Sequence, residues 1–429
     1  MKIPRATGRR WVFLLRYVAG LFVLVGVLVA WMNVRGEAPL DTGAITSATA
    51  NPAHIARGAY LARAGNCMGC HSMSGGAEYA GGRGIETPFG TVFAPNITPD
   101  PKTGIGSWSA AEFWRAMHHG RSKDGRLLYP AFPYPSYMNV TREDSDALLA
   151  YLRTVQPVEQ ANKAHALAFP YNTQAALALW RAMFFRAGDL QPDTQETAEW
   201  NRGRYLVEGL AHCAACHSSR NGFGATILNA QFAGGLMPDE AWYAPSLASP
   251  NEAGLQTWPR EEAIQLLKSG VSRHATVSGP MADVVYSSTQ YLTPQDVKAM
   301  VEYLASIPVR ERDHKETTRA SSAVLDRGKK IYEEQCATCH GDEGQGVPSI
   351  HPALAGNRAV LLHTPNNLVQ VIRNGGFAPT TAGNPQPFGM PPFGQTLSDE
   401  DIAAVASYIR QAWGNAAAAI SAFDVHRVR

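Results

Sequence analysis

The longest apolar run opens the chain. From Trp11 to Met32 only Arg16 interrupts it, and Lys2, Arg5, Arg9 and Arg10 precede it. About 20 apolar residues suffice to cross a bilayer as a helix. The basic flank predicts a cytoplasmic N-terminus with the rest of the chain across the membrane, and Arg16 is close enough to the start to snorkel. The alternative is a cleaved signal peptide, but the best cleavage position, after Ala30, has Leu28 where a small residue is wanted. Residues 1–33 are thus read as a membrane anchor (or signal), and residues 34–51, rich in Ala, Thr and Gly, as a tether.

Beyond the tether the pattern becomes short-range and repeats three times. Amphipathic helices are predicted over Glu143–Thr154, Pro294–Ser306 and Ser398–Trp413, with apolar residues at helical spacing such as Leu148, Tyr151 and Leu152. Thr141, Thr293 and Ser398 mark their starts, with acids in the first turn. Each is preceded, well upstream, by a short helix carrying a glycine and an aromatic: Arg57-Gly58-Ala59-Tyr60, Arg202-Gly203-Arg204-Tyr205 and Arg327-Gly328-Lys329-Lys330-Ile331-Tyr332. The glycine would let the closing helix cross closely, and the aromatics read as core. The units are 52–156, 198–308 and 323–415. Residues 157–197 join the first two and contain an apolar helix over Asn172–Arg186, expected to bury itself against another domain, a partner or the membrane surface. Residues 309–322 form a charged linker and 416–429 a C-terminal tail.

Composition agrees with three units. At roughly 150 residues per domain, a chain of 429 residues holds about three. With 38 basic and 36 acidic residues the charge nearly cancels, which excludes the basic surface of a nucleic-acid partner. Units this small are marginal on their own cores, so added apolar mass is expected.

The cysteines say what supplies it. All six fall in three Cys-x-x-Cys-His motifs: Cys67–Cys70–His71, Cys213–Cys216–His217 and Cys336–Cys339–His340. This is the attachment signature of c-type haem. Two thiols at that spacing reach two vinyl groups of one porphyrin edge, and the adjacent imidazole falls beneath the iron. Structural zinc wants four protein ligands, and each motif offers three. The expected cofactors are therefore three covalent haem c groups. The fold class expected is all-α: three tandem cytochrome c-like domains of short helices and long loops around haem, with one N-terminal membrane helix. Attachment of c-type haem is completed outside the bacterial cytoplasmic membrane, which predicts a periplasmic globular part.

The sixth iron ligand separates carrier from catalyst, and a thioether favours the carrier. Met390, in Phe388-Gly389-Met390-Pro391-Pro392-Phe393, is the sole methionine after Cys336. Met281, in Gly279-Pro280-Met281, takes the corresponding place in the second unit, ahead of Met237 and Met300. In the first unit Met138 ends the loop Tyr129–Met138; Met117, beside His118 and His119, a histidine or an open position are its alternatives. His212 and His274 read as surface or loop residues.

On these residues the chain resembles the trihaem cytochrome c subunits of membrane-associated bacterial dehydrogenases of the alcohol, gluconate, aldehyde and nicotinate type. The resemblance rests on Gly125–Tyr134, Gly203–Cys213 and Gly279–Tyr286, and Trp242–Ser246 and Phe169–Gln174 resemble cytochromes paired with molybdenum hydroxylases. Some relatives have Met where this chain has Phe132. The resemblance implies an electron-transfer subunit. Its partner would be a catalytic subunit of molybdopterin, quinoprotein or flavin type, and its acceptor ubiquinone or a terminal oxidase. A multihaem peroxidase and a haem subunit of a respiratory oxidase are the competing functions. No nucleotide fingerprint or catalytic motif accompanies the haem sites.

Overall fold

Each unit opens and closes with a helix, and the two cross at a glycine. In the computed structural model, which describes residues 7–37, 40, 51–238, 241–273, 275–310, 317–348 and 350–428, the opening helices are Pro52–Ala64, Ala198–Arg204 and Ser322–Gln335. The closing helices are Arg142–Leu152, Pro294–Ser306 and Asp399–Gln411. Thr141, Thr293 and Ser398 cap them, accepting from the backbone N–H of Asp144, Asp296 and Asp401. A Cβ on Gly58, Gly203 or Gly328 would collide with the carbonyl of Ala147, Ala299 or Ala404 on the closing helix. Beside each glycine an arginine spans the crossing to the capped aspartate: Arg57 to Asp144, Arg202 to Asp296 and Arg327 to Asp401.

The first two units share one core. Leu61, Leu148 and Leu152 of the first join Leu206, Leu210, Val297 and Met300 of the second, whereas the third packs its own cluster around Tyr332, Val369, Val405 and Ile409. Tyrosines lock the shared seam reciprocally. Tyr60 donates to Asp296 Oδ2 of the second unit at 2.5 Å, and Tyr205 donates to Asp144 Oδ2 of the first at 2.6 Å. The same two hydroxyls accept from the N–H of Thr293 and Thr141. Equivalent residues exchanging equivalent contacts is the signature of an isologous interface. These two aromatics pack against the core, as expected of them, and also hold the two units together. Lys330 stands at the corresponding position of the third unit and is exposed; Tyr332, a little further along the helix, points inward and donates to the Gly341 carbonyl. The third unit lacks the group that would pair it in this way.

Strands are short. Gly84–Thr87, Gly90–Phe93 and Ala166–Leu167 form an antiparallel sheet with Gly84 opposite Phe93 and Thr91 opposite Ala166. Gly235–Leu236 pairs with Tyr243–Ala244, and Gly376–Phe377 with Gly389–Met390.

An apolar helix, Thr7–Val34, leaves the first unit, and Trp11–Val34 is long and apolar enough to cross a membrane. Lys2 and Arg5, most of the predicted tether, residues 311–316 of the predicted linker and His274 lie outside the described residues. Asn33, near the helix end, donates to the Ala178 carbonyl and accepts from Arg181 Nε, so the helix Gln174–Phe184 docks on the first unit and on the apolar helix together. Leu177, Arg181 and Ala182 are buried there, whereas Leu179 and Met183 stay exposed. Residues 416–428 fold back on the third unit, where Ile420, Val425 and Val428 complete its core.

Candidate haem sites

Just ahead of the first cysteine the first two units turn left-handed, at Asn66 (φ 48°) and His212 (φ 38°). Asn and His are among the residues that tolerate this region best. The turn starts each Cys-x-x-Cys-His segment as a separate short element rather than a continuation of the opening helix. In every motif the first cysteine is half-buried and the second exposed. Burial pushes the thiols of Cys67 and Cys213 up to about 12 and that of Cys336 up to about 11. Redox dithiols need the opposite, a lowered thiol pKa.

The three histidines share one feature that the sequence reading missed. His71 Nδ1 donates to the Pro95 carbonyl at 2.8 Å, His217 Nδ1 to Pro245 at 2.7 Å, and His340 Nδ1 to Pro352 at 2.9 Å. A carbonyl only accepts, so Nδ1 carries the proton and Nε2 keeps a free lone pair, the tautomer a metal ligand needs. Burial lowers the pKa of all three imidazoles, outweighing these hydrogen bonds, and so favours the neutral form. The signal was present in the sequence as a recurrent Pro-x-Ile/Leu: Pro95-Asn96-Ile97, Pro245-Ser246-Leu247 and Pro352-Ala353-Leu354. Arg83 and Arg220, also unforeseen, donate to the carbonyls of Gly69 and Ala215 inside the first two motifs.

Among the described residues, no three His, Cys, Asp or Glu side chains converge to hold a metal by themselves. One oriented imidazole per unit beside two thiols suits an iron already held by a porphyrin. The third unit supplies a matching cradle. A cleft is lined by Cys336, His340, Leu368, Ile372, Met390 and Val405, among other apolar residues, the largely apolar lining of a cofactor site. Met390 sits on the strand opposite Gly376 and faces the same cleft as His340. Met281 is half-buried in the first turn of the helix Pro280–Ser287, not in a loop. Met138 is half-buried at the end of the short helix Tyr134–Tyr137. Met117 is buried in the shared core, and His118 has both ring nitrogens engaged, by His119 and Asp189.

The first two sites adjoin. Asn66 accepts from Ser287 Oγ at 2.8 Å, Asn139 donates to the Glu208 carbonyl at 3.2 Å, and the rings of Tyr137 and His212 lie 5.7 Å apart. Burial raises the Cys216 thiol, Arg220 acts against that rise, and the neighbouring Cys70 adds to it. His212 is therefore a residue of the seam rather than of the surface.

The cytochrome c family pattern matches three stretches, residues 55–156, 201–308 and 325–413. The chain belongs to the cytochrome c family. This cytochrome carries three covalently bound haem c groups, and electron transfer is its activity. It is 40% identical over 398 residues to the cytochrome c subunit of a quinone-type alcohol dehydrogenase from Gluconacetobacter polyoxogenes, covering 89% of this chain and 85% of that one. It is 38% identical over 410 residues to the gluconate 2-dehydrogenase cytochrome c subunit of Pantoea cypripedii, covering 91% and 92%. To a nicotinate dehydrogenase subunit of Pseudomonas putida the cytochrome is 39% identical over 414 residues, 95% of its own length but 34% of that relative's. It thus spans about a third of that protein.

Proposed function

We propose that this chain is the electron-transfer subunit of a membrane-bound dehydrogenase. It takes electrons from a catalytic subunit of molybdopterin, quinoprotein or flavin type and passes them along three haems to ubiquinone or a terminal oxidase. The residues 11–34 helix anchors it in the bacterial cytoplasmic membrane, and the three units stand on the periplasmic side. The observation that carries the reading is the threefold recurrence of a histidine whose Nδ1–H is fixed by a proline carbonyl. In each unit the two cysteines hold the porphyrin, at Cys67 and Cys70, Cys213 and Cys216, and Cys336 and Cys339. His71, His217 and His340 would hold the iron through Nε2, and Met138, Met281 and Met390 would supply its thioether ligands. Haem supplies a one-electron couple; the protein positions it, excludes water and sets its potential.

Purification from solubilised membranes tests this. The full chain is expected in the membrane fraction together with a large subunit whose extracted cofactor is one of the three types. A chain recovered alone in the soluble fraction would overturn the reading. The relatives' identities of 38–40% do not separate the partner types, so cofactor analysis decides among them. For the ligand set, Met390→Ala is expected to abolish the thioether–iron absorption band of one haem in three. An unchanged band would remove Met390 from the set.

A further inference from the structure

The loop that holds His217 differs from its two counterparts in one respect. The Pro245 carbonyl that accepts from His217 belongs to the same peptide unit as the Ser246 N–H, and that N–H donates to Glu252 Oε2 at 2.6 Å. Tyr243 donates to the same oxygen at 2.9 Å, and His363 of the third unit donates from Nδ1 to Oε1 at 3.0 Å. Glu252 is 7% exposed. Burial alone would raise its pKa, but the bonds from His363, Ser246 and Tyr243 outweigh burial and hold it below the usual carboxylate value. It is an anion.

In the first unit the equivalent N–H, that of Asn96, donates to the neutral side-chain oxygen of Asn162 at 2.7 Å. In the third, among the described residues, the Ala353 N–H meets no carboxylate. The three proximal loops are therefore graded: anion, neutral amide, neither.

We propose that Glu252 is a positioning residue that lowers the reduction potential of the second haem by acting through the Pro245–Ser246 peptide on His217. The peptide group is a resonance system. A carboxylate drawing on its N–H places more electron density on its oxygen, and hydrogen bonds in series reinforce one another. The Pro245 carbonyl then pulls harder on the Nδ1 proton, and the imidazole becomes a more electron-rich donor. Such outer-shell partners raise ligand basicity, and a more basic ligand favours ferric over ferrous iron. His363 places the far end of this chain of bonds on the third unit. The inference rests on His217 being an iron ligand.

The test uses the full-length holoprotein, whose three midpoint potentials are resolved by spectroelectrochemical titration. Glu252→Gln is expected to raise one midpoint and leave the other two in place. Asn162→Asp, which installs the anion in the first unit, is expected to lower a different one. In the ferrous protein, the ¹⁵N–¹H signal of the His217 Nδ1–H is expected to move upfield in Glu252→Gln, with those of His71 and His340 unmoved. Three unchanged midpoints, or three that shift together, would overturn the proposal, and so would an unmoved His217 signal. Failure of the ligand reading would look different: His217→Gly would then leave all three haem spectra intact.

Discussion

Gly203→Ala is expected to destabilise the second unit by about 3 kcal/mol or more, the upper range for overpacking a tight contact. Helix propensity predicts the opposite sign, because alanine in a helix interior gains about 0.5–1 kcal/mol over glycine. The crossing decides between them. The atom a new methyl would meet is the Ala299 carbonyl oxygen, with Tyr303 Cβ close behind. Backbone cannot turn aside as a side chain can, so the two helices must part. Parting them also stretches the Arg202–Asp296 pair, whose N–O distance is 2.7 Å. Thermal unfolding at equal haem loading measures the effect, and a stabilised variant would refute the close crossing. Gly58→Ala and Gly328→Ala should behave alike, since each faces a carbonyl in the same way.

Asp296→Ala is the second large loss expected, also about 3 kcal/mol. Removing one member of a buried ion pair costs roughly 3–5 kcal/mol; Arg202, 30% exposed, places this pair at the low end. The single carboxylate receives both Arg202 Nε and Nη2, and Tyr60 from the neighbouring unit. Its loss therefore loosens both the helix crossing and the seam between units. A pH dependence follows. Burial acts to raise the pKa of Asp296, but the bonds from Arg202 and Tyr60 outweigh it and leave it lowered. A carboxylate depressed in the folded state contributes stability above its unfolded value, about 3.9, and loses it as pH falls through the folded value. Stability should therefore drop in acid below about pH 4, and Asp296→Asn should flatten that part of the curve. Chemical unfolding at a series of pH values checks both; an Asp296→Asn curve as steep as that of the parent would refute the linkage.

What could be read from the chain alone was whatever is local in sequence. The Cys-x-x-Cys-His motifs, the capped closing helices and the glycines of the opening helices each declare themselves within a few residues. The observed closing helices start within one residue of their predicted starts. What escaped depends on partners far apart. The proline carbonyls lie 24, 28 and 12 residues from their histidines, so no fixed spacing marks them. Tyr60 was legible as an aromatic on a helix, but its partner lies 236 residues away. Periodicity shows that a side chain is not facing water; it does not show which neighbour it faces. The same limit applies to Asn172–Arg186, whose apolar pattern was clear while its attachment to Asn33 was not. Met281 was picked out by its place ahead of the closing helix; that place proves to be helical, with Pro280 at the first position, which suits its fixed φ.

The reciprocal tyrosines have a consequence for direction. The tyrosine contacts, being swapped like for like, mark neither body as head or tail. Polarity must be borrowed from what each is fastened to. The first unit is bonded to the end of the long apolar helix through Arg121 and the Asn33 carbonyl, and the second meets the third unit through Glu252 and His363. Those two unequal attachments are what distinguish one end of the pair from the other.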